Sequence, residues 1–125
     1  MLAYTSVGTN DMEAARKFYD ALFAEMDAGV LFERPDGGFV SYGRPGQPMF
    51  GVCKPWDGEK ATAGNGVMIS IAAKDPAQAK ALYDKAIELG GKCEGEPGPR
   101  LNGAFTCAYV RDLDGNKLNF FCMGS

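Results

Sequence analysis

Any chemistry this chain performs must do without histidine, because none of its 125 residues is one. That removes the Ser-His-Asp triad, the Cys-His dyad, a histidine general base and the ordinary imidazole-ligated zinc, iron or copper site. The reactive groups that remain are 16 carboxylates, 5 tyrosines, 4 cysteines and 13 lysines and arginines. The cysteines are Cys53, Cys93, Cys107 and Cys122, with no Cys-x-x-Cys pair, so neither a structural zinc nor a thioredoxin-like motif is indicated. They are expected to be reduced, with Cys107 and Cys122 packing as small hydrophobes within apolar runs. Arg111, Asp112 and Asp114 cluster around Gly115, where turn chemistry accounts for them without catalysis. Residue type and spacing therefore assign no catalytic residue.

The elements that must position these groups follow from periodicity. Asn10 or Asp11 can cap a helix, Glu13 favours its first turn, and Ala14, Ala15, Phe18 and Leu22 recur on one face. The spacing predicts a helix over Met12–Ala24, preceded by a strand within Leu2–Val7. The pattern returns 64 residues later, with a strand over Gly66–Ala72 and a helix opened by Lys74-Asp75-Pro76. Ala79, Leu82, Ala86 and Leu89 give its apolar stripe, and Gly90-Gly91 ends it. At that offset Asp11 falls on Asp75, Phe18 on Leu82, Tyr19 on Tyr83 and Asp20 on Asp84.

Strand-like runs follow each helix. They lie near Asp27–Glu33, Phe39–Gly43 and Met49–Lys54, then near Lys92–Gly95, Ala104–Arg111 and Lys117–Met123. Asp-Gly pairs in the segments 34–38 and 112–116 supply hairpin turns. The expectation is an α+β protein, residues 1–125 in one domain, built of two βαβββ modules at about 1–57 and 64–123. Trp56–Asn65 reads as the linker, and Glu94–Gly103, with Pro97 and Pro99, as a long surface loop. Tyr19 and Tyr83 read as packing residues whose hydroxyls reach the edge.

A formal charge of −3 without any basic run leaves no footprint for nucleic acid or an anionic membrane. No apolar stretch approaches the roughly 20 residues that cross a bilayer, so a cytoplasmic protein is expected.

The segments YTSVGTNDMEAARKFYDALF, NGVMISIAAKDPAQAKALYDKAIELGGK and AYVRDLDGNKLNFF resemble the vicinal oxygen chelate superfamily. More narrowly they are similar to its single-domain glyoxalase/bleomycin-resistance/dioxygenase proteins. Arg-Asp-x-Asp-Gly-Asn at Arg111–Asn116 is the most specific piece. The resemblance implies sheets that curve around a ligand and commonly pair across a homodimer. It also implies a divalent metal, with ligands from the first and last strands of each module. Those places fall on Tyr4, Gly51, Met68 and Asn119. Thioether, glycine, amide and protonated phenol make a poor set for a hard or borderline cation, so no metal and no other cofactor is expected.

Strand alternation places Tyr4 and Ser6, Met68 and Ser70, and Lys117, Asn119 and Phe121 on the concave faces as ligand-binding residues. Such a lining suits a small organic molecule with a few polar atoms. The expected function is therefore small-molecule binding, as in the drug-binding branch of the resembled family. The alternative is a glyoxalase-type lyase acting on a thiol conjugate, in which Lys117 or Tyr4 would hold the oxyanion and Glu33 would be the base.

Overall fold

A computed structural model describes residues 1–125. Its elements run β1 (Tyr4–Gly8), α1 (Met12–Ala24), β2 (Gly29–Glu33), β3 (Phe39–Gly43), β4 (Met49–Cys53), β5 (Ile69–Ala72), α2 (Pro76–Glu88), β6 (Lys92–Arg100), β7 (Phe105–Arg111) and β8 (Lys117–Met123). They build two four-stranded sheets of order β1-β4-β3-β2 and β5-β8-β7-β6. In each sheet the strand before the helix pairs parallel with the last strand of its half, and the other pairs are antiparallel. The chain thus traces one βαβββ path twice, as its repeated pattern predicts.

Asp11, rather than Asn10, caps α1 by accepting from the Ala14 amide at 3.0 Å. Asp75 does the same for α2 through the Gln78 amide at 2.8 Å. Asn10 instead holds the linker, bonding both the amide and the carbonyl of Ala61. Phe18, Tyr19, Leu22 and Phe23 of α1 and Ala79, Leu82 and Ala86 of α2 join the helix-facing strand residues in a core of 20 side chains. Alternation then leaves the other face of each sheet open.

Three expectations need correction. β1 and β5 start later than expected, at Tyr4 and Ile69. Positive φ at Gly64 and Gly66 accompanies a turn at Asn65-Gly66, and Val67, 52% exposed, stays outside β5. Glu94–Arg100 is strand, not loop: β6 pairs with β7 as far as Arg100↔Phe105, with register shifts between Cys93 and Gly98. As an edge strand β6 tolerates Pro97 and Pro99, whose missing N–H groups need not serve the ladder. The reversal follows at Leu101 and Asn102, with φ of 48° and 55°.

Tyr19 does not reach an edge. It is fully buried, and its hydroxyl donates to Asp112 Oδ2 at 2.5 Å, joining α1 to the far end of β7. Asp112 Oδ1 accepts from the Asp114 and Asn116 amides, which closes the 112–116 turn. Asn116 Nδ2 reaches Asp112 Oδ2 and the Gly8 carbonyl, both at 2.9 Å. The most specific segment of the sequence is therefore a joint between modules.

Burial and the Asp112 carboxylate push the Tyr19 phenol well above its usual 10. Burial and a hydrogen bond to Asp20 raise Tyr42 as well. Both phenols ionise near 10 in the unfolded chain, so the folded state holds its protons more tightly. Their contribution is complete below pH 10 and is lost as pH rises beyond it. The urea midpoint should fall between about pH 8 and about pH 11, and fall less in Tyr19→Phe. Equal losses in the two proteins would contradict the assignment.

Candidate functional site

The open face of the first sheet carries Tyr4 and Ser6 from β1, Phe39 and Ser41 from β3, and Met49 and Gly51 from β4. Tyr4, Phe32, Arg34, Phe39, Ser41 and Met49 line a hollow of about 290 Å³. The Tyr4 and Phe39 rings meet edge to face at 5.8 Å, with Phe32 6.2 Å from Phe39. Arg34 is bonded to Asp36 at 2.7 Å and lies over the ring of Trp56, which is 88% exposed. Tyr4 itself is 55% exposed, although it sits among apolar side chains.

On the open face of the second sheet Ser70, Asn119 and Tyr109 form a row across β5, β8 and β7. Asn119 Nδ2 donates to Ser70 Oγ at 3.2 Å. Asn119 is only 4% exposed, and its Oδ1 is the buried side-chain polar atom left without a hydrogen-bond partner. Lys117 Nζ lies 5.4 Å from the Tyr109 ring centroid and the Arg100 guanidinium 5.8 Å from it. The Phe121 and Phe105 rings meet at a tilt, 5.3 Å between centroids. The adjacent Cys107 thiol and burial raise the Tyr109 phenol, which keeps it a neutral hydrogen-bonding group. Arg111 and Lys117 together hold the Glu94 carboxyl below the usual range.

The seven expected ligand-binding residues thus separate. Tyr4 and Ser6 lie on the first sheet, while Ser70, Lys117, Asn119 and Phe121 come together on the second. Met68 precedes β5 and is exposed. Glu33, the proposed lyase base, is engaged by Arg16 at 2.5 Å. Tyr109 and Arg100 are not among the expected site residues, and the loop reading of Glu94–Gly103 hides the strand that brings Arg100 over the Tyr109 ring. The aromatic cluster of Phe32 and Phe39 is not among them either, and its facing depends on the irregular register between Val30 and Phe32.

The places where the resembled family would hold a metal can be tested on register. Ser6 lies opposite Gly51 as Ser70 lies opposite Asn119, which fixes Gly51 as the counterpart of Asn119. A Cβ at Gly51 would stand 2.8 Å from the Phe39 ring and 2.9 Å from the Thr5 carbonyl, so a ligating side chain there would require both to shift. Gly51, Tyr4, Met68 and Asn119 offer no carboxylate or imidazole, and this donor set does not fit a divalent cation of the Zn²⁺ or Mg²⁺ kind. No three Cys, Asp or Glu side chains converge elsewhere. Gly51→Glu, which would supply a carboxylate, is expected to destabilise by about 1–3 kcal/mol in urea unfolding. An unchanged midpoint would mean that the Phe39 ring yields freely.

Two βαβββ modules, each with its helix on one face of a four-stranded sheet, define the class of fold. A family model described as the Glyoxalase/Bleomycin resistance protein/Dioxygenase superfamily matches residues 1–120, and the chain belongs to that superfamily. A probable lactoylglutathione lyase from Synechocystis sp. is 28% identical over 123 residues, covering 94% of this chain and 91% of that protein. A glyoxalase/bleomycin resistance protein from Albidiferax ferrireducens is 36% identical, with a TM-score of 0.87 over 97% of each chain. The fold is also that of a lactoylglutathione lyase from Agrobacterium tumefaciens, at 22% identity and a TM-score of 0.69 over 97% of this chain and 92% of that one.

Proposed function

We propose that this superfamily member binds a small organic molecule without a metal ion, and that the open face of the second sheet holds the ligand's polar part. The observation that carries the reading is Asn119 Oδ1, a buried acceptor left unpartnered on that face. An unmade hydrogen bond of this kind costs about 1–3 kcal/mol, a reason to retain the amide for a ligand rather than for stability. Tyr109 lies opposite Asn119 across the β7–β8 pair, and Lys117, over the Tyr109 ring, adds a donor on the same face; Arg100 is already engaged by the Glu96, Gly98 and Pro99 carbonyls. The aromatic hollow of the first sheet suits the apolar part of a ligand. Because the two faces belong to different sheets, a homodimer that sets one chain's first sheet against its partner's second would bring both to one ligand.

A glyoxalase-type lyase is the second reading, favoured by the name of the Synechocystis relative. It needs a base beside the substrate carbon and a cation for the enediolate oxygen. Lys117 could serve as the cation, but Glu33 is already paired with Arg16. Thermal-shift screening of glutathione thioethers and planar aromatic drugs, with and without divalent metals, separates the two. Metal-independent shifts that Tyr4→Ala or Asn119→Leu abolishes support the binding reading. Shifts that require added metal would overturn it.

A further inference from the structure

One groove lies beside the two open faces and shares Met49 and Ser70 with them. It occupies about 360 Å³ where the two modules meet, between the end of α1, the start of β4 and all four residues of β5. Phe23, Met26, Phe50, Ile69 and Ile71 make its walls apolar, and Arg44, between β3 and β4, supplies a cation. Arg44 donates to the Met26 carbonyl at 2.6 Å, and none of the seven ion pairs includes it. A guanidinium has five N–H donors, so most of its capacity remains free beside an apolar surface.

We infer that this groove is a second binding site, one for an amphiphilic monocarboxylate. The carboxylate would pair with Arg44, and a medium-length alkyl chain would lie against Phe23, Met26, Ile69 and Ile71. Charge complementarity argues for this occupant. One unpaired cation matches one negative charge, and the walls carry no carboxylate and no second cation to hold a polyanion. The volume lies at the lower end of the range for organic ligands, which limits the chain to medium length. The site is independent of the open-face reading. Met49 and Ser70 border both regions, but neither is needed here, and the Ser70 hydroxyl is turned to Asn119.

The test is calorimetric titration of the full-length chain with hexanoate, octanoate and decanoate, and with octanol as the uncharged control. Octanoate should bind more tightly than hexanoate by about four-fold per added methylene, the ratio expected for burying each CH₂. Arg44→Gln should weaken octanoate at least tenfold and leave octanol unchanged, while Arg44→Lys recovers part of the loss. Asn119→Leu should leave octanoate binding intact even where it abolishes open-face ligands. The inference is overturned if octanoate does not bind, if affinity ignores chain length, or if Arg44→Gln binds as tightly as wild type. It is equally overturned if octanoate binds only after a dimer dissociates, because a second copy would then be the groove's occupant.

Discussion

Asp112→Ala is expected to lower stability by roughly 3–5 kcal/mol, the largest loss of any single polar substitution in this fold. The buried carboxylate accepts four hydrogen bonds, from the Tyr19 hydroxyl, the Asn116 side chain and the amides of Asp114 and Asn116. Truncation leaves these donors without their acceptor and loosens the turn that carries Asn116 to the Gly8 carbonyl. Tyr19→Phe removes only one of the bonds and should cost about 1–2 kcal/mol. Urea unfolding of both single variants and the double variant gives the coupling. The double variant should be little worse than Asp112→Ala alone. Additive losses would show that the pair does not act as the joint between modules.

Asn119→Leu is expected to move stability and binding in opposite directions. Leucine removes the orphaned amide oxygen, and Ser70, being exposed, can exchange its lost partner for water. The unfolding free energy should therefore rise by about 1 kcal/mol. Affinity for any ligand found on the second sheet's open face should fall at least tenfold, since its contact with the amide is lost. A residue retained only for packing would lose stability on this change and leave binding alone. Urea unfolding and ligand titration on the same preparation distinguish the two.

Much of the fold is written in local signals. Asp11 and Asp75 mark both helix starts, and the 64-residue offset between them is the module repeat. Sequence and structure part at boundaries where backbone conformation overrides apolar character. The Gly64–Gly66 turn removes Val67 from β5, and the edge position of β6 lets two prolines remain in a strand. The site was legible only in part, because alternation tells which residues share a face but not what lies beside them. It places Asn119 and Lys117 together, yet it cannot show that Arg100 returns over Tyr109 or that the Phe39 ring occupies the space above Gly51. Tyr19 reads as a packing residue, but its hydrogen-bond partner is 93 residues away, and nothing within its own helix signals Asp112.

The most direct test of metal-free binding is to follow conversion of a glutathione hemithioacetal while titrating Zn²⁺, Ni²⁺ and Mn²⁺ into chelator-treated protein. Inductively coupled plasma analysis of the same samples would give the metal bound per chain. The donor set of Tyr4, Gly51, Met68 and Asn119 predicts well below one equivalent retained after desalting, no turnover at any metal concentration, and ligand affinity unchanged by the chelator. One equivalent held tightly, with turnover restored in proportion to it, would contradict that reading and make the protein a metal-dependent lyase.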